Sequence, residues 1–462
     1  MHSDEDTIAA IATPIGQAGI GIIRISGPHS YEIAQKIFIP RKKTGSAFQS
    51  HRLYLGYLYD PFSNRMIDEV LLSFMKAPHS YTREDVIEVN AHSGYLLLTR
   101  VLRIILAQGA RLAKPGEFTL RAFLNGRIDL TQAEAVVDLI NSKSDRGLYL
   151  SSQQTQGLLR REIELLREEV IEVIADIEVA IDFPDEPVDS ISYEVAAHRI
   201  EEKVVKPIQA LIEIHSRKRV WVDGVNTVIV GCVNAGKSSL LNRLLNEQRA
   251  IVAPIPGTTR DIVESAVTIE GVPLHLMDTA GFGCMNNEVE RIGFHLTEDK
   301  LVQADLLLIV IDQSSPLNQH DLDVLARCRG KKALVVLNKT DLKPQLRETE
   351  IEERFVGPPI VKISALTGDG LGQLRKAITE YILESDVDMT SSHAIPNLRH
   401  RKALEDAVRF FKNAAQNMRD EAPMEIVAVE LRSGLDTLGE IIGETVDEEI
   451  LDSIFSRFCL GK

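Results

Sequence analysis

One stretch decides the fold of this chain: Gly231-Cys232-Val233-Asn234-Ala235-Gly236-Lys237-Ser238. It follows the pattern G-x-x-x-x-G-K-S of a phosphate-binding loop. The β-branched apolar run at 227–230 predicts a buried strand before the loop, and the Leu-rich run at 239–245 predicts a helix after it. Glycines let the backbone wrap phosphates with its N–H groups, and the N-terminus of the helix adds partial positive charge. The stretch therefore predicts a nucleotide-binding α/β domain.

Three further motifs follow in the order that a guanine-nucleotide site requires. Asp278-Thr279-Ala280-Gly281 offers an aspartate near Mg²⁺ and a glycine N–H for the γ-phosphate. Asn338-Lys339-Thr340-Asp341 reads the base, because Asp341 can accept from guanine N1–H and from the 2-amino group, an arrangement that adenine lacks. Ser364-Ala365 adds a backbone N–H for the guanine oxygen. Together the four motifs predict a GTPase.

The same motifs name the residues of the site. Lys237 reaches the β- and γ-phosphates and is a catalytic candidate, while Ser238 and Thr259 supply hydroxyl ligands to Mg²⁺. We predict that GTP contacts Asn234, Ala235, Gly236, Lys237, Ser238, Ser239, Ala253, Pro254, Ile255, Pro256, Gly257, Thr258, Thr259, Asp278, Thr279, Ala280, Gly281, Asn338, Lys339, Asp341, Ser364 and Ala365.

One position departs from small GTPases, which commonly carry a water-orienting glutamine after the Asp-x-x-Gly glycine. Here that position is Phe282, which cannot orient water. Another group must do so, and Glu288 and Glu290 follow closely. The alternative for both is a solvated acidic helix face.

Composition restricts the class of protein and its partners. A chain of 462 residues predicts more than one domain, and no apolar run reaches the length of a membrane span. The four cysteines fit no zinc spacing, which is typical of a reducing cytoplasm. A net charge of −15 argues against bulk attraction to nucleic acid, so an RNA contact needs local basic patches such as 217–219 and 399–402.

The pattern along the chain predicts a multidomain α/β protein. Residues 1–125 read as α+β, with strands expected at 7–12, 19–25, 54–59, 69–75 and 86–90. Residues 126–218 and 385–462 read as two parts of a helical domain, and 219–384 as an inserted G domain with a doubly wound parallel sheet. The apolar seam Leu159, Ile163, Leu166, Val170, Val173, Ile177 and Ile181 predicts a long helix packed in a bundle, with a coiled-coil dimer as the alternative.

The chain resembles the MnmE (TrmE) family of tRNA modification GTPases along its full length. Its last five residues, Phe458-Cys459-Leu460-Gly461-Lys462, are the most family-specific match. Era-like GTPases share the nucleotide motifs but not this tail. The other matching stretches are 6–10, 21–27, 121–127, 180–186, 234–242 and 256–261.

The resemblance implies a homodimer with an N-terminal tetrahydrofolate-binding and dimerisation domain, a helical domain and a Ras-like G domain. It places 5-formyltetrahydrofolate or another tetrahydrofolate derivative, the one-carbon donor, on Arg24, Glu88, Arg127 and Lys462. Arg127 stands where a lysine also occurs in the family. Cys459 becomes a candidate reactive thiol, with a buried inert cysteine as the alternative.

The resemblance also implies how hydrolysis proceeds. K⁺, bound by Asn234, Ala253, Ile255 and Thr258, would bring the positive charge that an arginine finger otherwise supplies. Glu290 falls where the family's water-orienting glutamate lies. Phe282-Gly283 stands where a Leu-Arg-like pair is common in the family, so this chain has no arginine at that position.

The family acts with a flavin-containing partner, MnmG (GidA), in a heterotetramer or a larger complex, on the wobble uridine of certain tRNAs. It installs a carboxymethylaminomethyl or aminomethyl group at C5. An Era/Der-type ribosome-assembly GTPase is the alternative function, and it would predict an RNA-binding appendage that the sequence does not display. A helical bundle with a degenerate G domain is opposed by the intact motifs.

Overall fold

A computed structural model describes residues 6–14, 16, 18–42, 47–182, 193–218, 220–246, 265–278, 304–383 and 394–462. The chain forms two compact units. The first comprises Met1–Ile140, Gln154–Gln209 and Lys402–Lys462, and the second comprises Asn141–Gln153 and Ala210–Arg401. The predicted multidomain fold with a Ras-like G domain is confirmed, whereas the domain limits at 125, 218 and 384 stay a prediction.

A seven-stranded sheet forms the centre of the first unit. Its strands are β1 (Ile8–Ile11), β2 (Ile20–Ser26), β3 (Phe38–Pro40), β4 (Arg52–Asp60), β5 (Arg65–Met75), β6 (Val86–His92) and β7 (Arg111–Leu112). They are ordered β3-β4-β5-β6-β2-β1-β7, with all pairs antiparallel except β1 and β7. All five strands expected from the sequence are confirmed, and the short edge strands β3 and β7 are additional.

Alternation along β2 explains how the sheet divides core from surface. Ile23 and Ile25 are fully buried and pack with the helices Ser30–Ile37 and Tyr95–Ala107 on one face. Arg24 lies between them and points to the opposite face, because successive side chains of a strand alternate. There it stands directly across from Glu88 of β6.

The remaining part of the first unit is helical, and its longest helix, Leu158–Asp182, packs against Met424–Ile442. Most of the predicted apolar seam is buried here, with Ile181 half-buried, so the bundle prediction is confirmed. Besides Ser30–Ile37 and Tyr95–Ala107, the described α-helices that lie wholly or partly in this unit are Glu117–Leu124, Leu130–Asn141, Asp145–Thr155, Leu158–Asp182, Tyr193–Ile200, Lys206–Lys218, Leu398–Arg419, Met424–Ile442 and Glu448–Phe455.

One predicted helix differs in detail. The sequence suggests a continuous helix over about 193–217, but a π-helical turn, Glu201–Val205, interrupts it. Pro207 follows this turn and has no N–H to donate to the preceding turn of helix. An α-helical hydrogen bond is therefore missing at Pro207, and the π-helical turn lies directly before this gap.

The second unit contains a six-stranded sheet. Its strands are β8 (Val225–Val230), β9 (Ser265–Ile269), β10 (Val272–Asp278), β11 (Leu306–Asp312), β12 (Ala333–Asn338) and β13 (Ile360–Lys362), in the order β13-β12-β11-β8-β10-β9. The sheet is parallel, as predicted, except at one edge. β9 pairs antiparallel with β10, because only the two-residue turn Glu270–Gly271 separates them and a parallel pair needs a long crossover.

Both faces of this sheet are covered by helices. Along β11, Leu306, Leu308 and Val310 belong to one apolar cluster, while Leu307, Ile309 and Ile311 belong to the other. A strand buried on both faces reads as a continuous apolar run, which is what the sequence displays. The helices are Val220–Asp223, Lys237–Asn246, Gln319–Arg327, Glu348–Glu352 and Leu371–Leu383. None of the helices that the structure describes combines the length and the apolar character that a membrane crossing requires.

Candidate functional site

The phosphate-loop sequence lies between β8 and the helix Lys237–Asn246, as predicted. Gly236 has a φ of 98°, and a Cβ atom on it would lie 2.1 Å from Nδ2 of Asn338. Only glycine fits this position without displacing that amide. Asn234 also has a positive φ, 63°, which asparagine tolerates. The loop therefore has the tight backbone that wraps phosphate groups.

Lys237 is buried and folds back onto the loop. Its Nζ donates hydrogen bonds to the carbonyl oxygens of Gly231, at 2.9 Å, and Cys232, at 2.7 Å. Ser238 follows at the exposed start of the helix. An ammonium held at the loop beside a helix N-terminus fits a nucleotide phosphate, and the Ser238 hydroxyl fits a hard cation such as Mg²⁺.

Asn338 connects three of the four nucleotide motifs. Its side chain is buried; Nδ2 donates to the carbonyl oxygen of Ala235 at 2.8 Å, and Oδ1 accepts from the N–H of Ala365 at 2.9 Å. The two bonds satisfy both ends of the amide. They fix the phosphate loop and the Ser364-Ala365 loop to the end of β12. The sequence predicted base reading by this motif, but not this bridging role for its asparagine.

The base-reading residues have partners of their own. The Ser364 hydroxyl donates to Oδ1 of Asp341 at 2.6 Å, which orients that carboxylate. Nζ of Lys339 lies 2.5 Å from Oδ2 of Asp312 at the end of β11. Burial alone would raise the pKa of Asp312, but hydrogen bonds from Lys339 and Ser314 outweigh it and hold the pKa below its ordinary value. The site thus contains two carboxylates, Asp341 and Asp312, with separate partners.

The remaining nucleotide residues divide into two sets. Asp278 ends β10 directly beside Ile229 of β8, close in register to the start of the phosphate loop.

Across the described ranges, no cluster of three or more His, Cys, Asp or Glu side chains is placed to hold a metal ion. The predicted residues that lie outside the described ranges are Ala253, Pro254, Ile255, Pro256, Gly257, Thr258, Thr259, Thr279, Ala280, Gly281 and Glu290.

A second candidate site lies on the face of the first sheet opposite the helices Ser30–Ile37 and Tyr95–Ala107. Nε and Nη2 of Arg24 both lie 2.8 Å from Oε1 of Glu88. Nη1 of Arg24 donates to the carbonyl oxygen of Gly461 at 3.0 Å. Residues from β2, β6 and the C-terminal tail therefore meet at one guanidinium, as the resemblance implied for Arg24 and Glu88.

Arg127 approaches the same place from the turn after the helix Glu117–Leu124. It is exposed, its guanidinium carbon lies 4.7 Å from the centroid of the Tyr81 ring, and Nη1 donates to the Tyr81 carbonyl oxygen at 3.0 Å. The guanidinium carbon of Arg24 lies 5.7 Å from the same centroid. The Tyr81 ring thus contacts both predicted arginines, and its aromatic character is the one feature that the sequence shows for it.

The C-terminal tail is docked by apolar contacts. The rings of Phe455 and Phe458 stack with centroids 5.6 Å apart, and Phe123 lies 6.4 Å from Phe455. Gly461 is buried with a φ of 90°, and a Cβ atom there would lie 2.5 Å from the carbonyl oxygen of Ile11. The tail therefore rests closely on the end of β1.

The two other tail residues of interest differ in exposure. Lys462 is half-buried, and its backbone N–H donates to the Cys459 carbonyl oxygen at 3.3 Å. Cys459 is exposed, so the alternative of a buried inert cysteine is wrong. Its reactivity stays a prediction.

A cluster of ion pairs surrounds the buried side chain of Glu117 in the first unit, and sequence reasoning missed it. The side chain of Glu117 is 1% exposed and accepts hydrogen bonds from Arg111 at 2.6 Å and from Arg121 at 3.3 Å. Arg121 also forms ion pairs with Asp6 and with Glu84. Burial alone would raise the pKa values of Asp6 and Glu117, but the arginine hydrogen bonds hold both below their ordinary values. The one available signal was the Glu-x-x-x-Arg spacing on a helix.

Comparison with known proteins gives consistent results. The family model described as the MnmE helical domain matches residues 130–459, and the model described as the GTP-binding protein TrmE N-terminus matches residues 7–127. The tRNA modification GTPase MnmE of Natranaerobius thermophilus is 43% identical over 458 residues, 99% of this chain and 100% of the relative. The protein of the same description from Bacillus subtilis is 42% identical over 459 residues, again 99% and 100%.

Solved structures resemble part of the chain. The G domain of the T. maritima FeoB iron transporter is 29% identical to the aligned part of this chain, with a TM-score of 0.27. The alignment covers 34% of this chain and 98% of the FeoB chain. Aquifex aeolicus Era is 27% identical and covers 40% of this chain and 67% of that chain, with a TM-score of 0.29.

Proposed function

Because the chain belongs to the MnmE family of tRNA modification GTPases, we propose that it couples GTP hydrolysis to modification of the wobble uridine of certain tRNAs. It is a GTP hydrolase that binds GTP and acts in tRNA modification. The contact of Arg24 with both Glu88 and Gly461 is the observation that supports a second ligand site in addition to the nucleotide motifs. It builds a second polar site in the first unit, separate in the chain from the nucleotide motifs.

The second site is proposed to bind the one-carbon donor, 5-formyltetrahydrofolate or another tetrahydrofolate derivative. Arg127 and Lys462 bring positive charge, Arg24 pairs with Glu88, and folates end in a glutamate with two carboxylates. Guanidinium groups pair with carboxylates through parallel hydrogen bonds. Glu88 adds an acceptor for the amino groups of a pterin. The group delivered to C5 of uridine is carboxymethylaminomethyl or aminomethyl.

The nucleotide site is proposed to use two cations. Mg²⁺ would be held by Ser238 and Thr259 with the phosphates. K⁺ would be held by Asn234, whose backbone already bends around the loop, together with Ala253, Ile255 and Thr258. K⁺ supplies positive charge beside the β- and γ-phosphates.

Catalysis at this site is proposed to use Lys237 and Glu290. Lys237 adds positive charge at the β- and γ-phosphates. Glu290 orients the attacking water in place of the glutamine that Phe282 replaces.

The proposed partners are tRNA, a second copy of this chain and the flavin-containing MnmG (GidA) in a heterotetramer or larger complex. An apolar row on the first sheet supports the homodimer. Leu53 and Leu55 on β4 are 65% and 42% exposed, and Leu71, directly opposite Leu55 on β5, is 40% exposed. Neighbouring exposed leucines on one sheet face are typical of an interface. A cytoplasmic location, inferred from the cysteines, stays a prediction.

The alternative, an Era/Der-type ribosome-assembly switch, has no specific observation in its favour. It would also leave the Arg24–Gly461 arrangement without a purpose.

Mass spectrometry of tRNA nucleosides from a deletion strain tests the function. We expect the modified wobble uridine to disappear on deletion and to return with the wild-type gene. Arg24→Ala should fail to restore it, whereas Arg65→Ala, on an exposed arginine of the same sheet, should restore it. Unchanged nucleosides in the deletion strain would refute the proposal.

A further inference from the structure

The loop between β5 and β6 is clamped to the turn that carries Arg127. Nη1 of Arg83 donates to the Asn125 carbonyl oxygen at 2.8 Å, and Nδ2 of Asn125 donates to the Thr82 carbonyl oxygen at 2.6 Å. Nη1 of Arg127 donates to the Tyr81 carbonyl oxygen at 3.0 Å. Three hydrogen bonds, one donated by the loop and two donated by the turn, hold residues 125–127 against 81–83. The position of Arg127 therefore depends on this loop.

The side chain of Tyr81 is fixed in the middle of the arrangement. Its hydroxyl lies 3.0 Å from Oγ1 of Thr119, and the ring is half-buried. Both guanidinium groups lie within the range of a cation–π contact, at 4.7 Å for Arg127 and 5.7 Å for Arg24. One rigid ring thus contacts two arginines that arrive from different elements.

The two arginines differ in their charge partners. Arg24 is paired with Glu88, whereas no carboxylate within the described ranges pairs with Arg127. Arg127 is held by a ring face and a neutral carbonyl, neither of which cancels its charge. An exposed arginine oriented in this way keeps its remaining donors for an anion from solution.

We propose that Tyr81 is a positioning residue of the tetrahydrofolate site. Its ring and carbonyl group orient Arg127 for the ligand's carboxylates before the ligand binds, and its ring also contacts Arg24. The proposal rests on the proposed function, which assigns a tetrahydrofolate derivative to this site. Orientation before binding raises affinity, because less side-chain freedom is lost on association.

The test measures the dissociation constant of 5-formyltetrahydrofolate for the full-length protein by calorimetry. Tyr81→Leu should weaken binding about tenfold, because the ring contacts to both arginines are lost. Tyr81→Phe keeps the ring and should change the constant less than about twofold. Tyr31→Leu is the matched control. Tyr31 is half-buried in the same unit, and its ring contacts Phe48 and Phe74, so affinity should stay unchanged.

A double-mutant cycle separates positioning from a merely structural role. In an Arg127→Ala background, Tyr81→Leu should weaken binding at most about threefold, since its main partner is already gone. An equal, tenfold loss in both backgrounds would overturn the proposal. Should Tyr81→Leu not fold, Tyr81→Met, which also lacks a π face, takes its place in the cycle.

The outcomes distinguish this proposal from the function on which it rests. A wild-type protein that does not bind 5-formyltetrahydrofolate overturns the folate site and the role of Tyr81 together. Wild-type binding that Arg127→Ala weakens and Tyr81→Leu leaves unchanged overturns the role of Tyr81 alone.

Discussion

Arg24 donates a hydrogen bond of 3.0 Å to the carbonyl oxygen of Gly461, 437 positions later in the chain. The last few residues of a domain are ordinarily poorly ordered unless contacts hold them in place. Here Phe455 and Phe458 bury its apolar face, and Arg24 ties its last turn to the sheet. The contact explains how the final residues of the chain become part of a site that begins at β2.

We expect deletion of Phe458–Lys462 to leave GTP hydrolysis near normal, to weaken binding of 5-formyltetrahydrofolate and to abolish tRNA modification. The deletion removes Cys459, Lys462 and Gly461, whose carbonyl oxygen accepts from Arg24, but none of the nucleotide motifs. GTPase rates, calorimetry and tRNA nucleoside analysis measure the three effects.

Gly461→Ala tests the same site with the chain length intact. At a φ of 90° the new Cβ would lie 2.5 Å from the Ile11 carbonyl oxygen, so the tail must shift. Its effects should match those of the deletion in direction. Circular dichroism confirms that the fold is kept, and full modification activity in both folded variants would contradict the prediction.

The second prediction concerns acid stability of the first unit. The pKa of Glu117 is lowered, so its ion pairs stabilise the fold above the unfolded value of about 4.5. That stabilisation is lost as pH falls through the lower, folded value. Glu117→Gln should destabilise the unit by about 3 kcal/mol at neutral pH, because Arg111 and Arg121 lose a buried partner. The difference in the free energy of unfolding between wild type and Glu117→Gln should shrink as the pH falls below the pKa of Glu117 in the unfolded state.

Hydrogen exchange of the β1 amides at neutral and acid pH measures this effect. Glu164→Gln is the control, since Glu164 pairs with Arg160 on an exposed helix face and such pairs contribute little. A difference between wild type and Glu117→Gln that grows in acid would contradict the assigned direction.

Local sequence patterns predicted most of the fold. The isoleucine-rich run of β2 and the continuous apolar run of β11 are properties of single segments, so both strands could be predicted directly. The antiparallel pairing of β9 was missed, although the short turn before β10 was visible. The π-helical turn before Pro207 was missed because a helix-period pattern does not reveal a change in hydrogen bonding.

The sites were predictable to different degrees. Contiguous motifs located the phosphate loop and the base-reading residues, but the bridge from Asn338 to Ala235 joins residues far apart in the chain. The same holds for Tyr81 and for the ion cluster of Glu117, because each depends on pairing across the fold. No composition or period encodes such contacts.

The third prediction concerns K⁺. GTP hydrolysis should be fast in K⁺ and slow in Na⁺, because K⁺ fits the proposed oxygen cage and supplies charge that no arginine finger brings. Glu290→Ala should lose hydrolysis while keeping nucleotide affinity, whereas Glu288→Ala should retain both. Steady-state rates in the two salts and nucleotide titrations measure this. Equal rates in K⁺ and Na⁺ would reject the cation proposal.

The last prediction concerns base choice at Asp341. Its carboxylate accepts a hydrogen bond from the Ser364 hydroxyl, and we expect it to accept from guanine N1–H and the 2-amino group. Asp341→Asn replaces one acceptor with a donor, so GTP affinity should fall by about 1.5–3 kcal/mol, the usual worth of a hydrogen bond to a charged group.

The same change should admit xanthosine triphosphate, whose 2-carbonyl oxygen can accept from the new amide. Asp369→Asn is the matched control, because Asp369 accepts from the nearby Thr367 hydroxyl on the exposed surface and is not part of the base motif. Nucleotide titrations with both triphosphates decide the outcome. GTP affinity that is unchanged in Asp341→Asn, or lowered equally in Asp369→Asn, would remove Asp341 from base recognition. A gain for xanthosine triphosphate with a matching loss for GTP would assign the specificity to this one carboxylate.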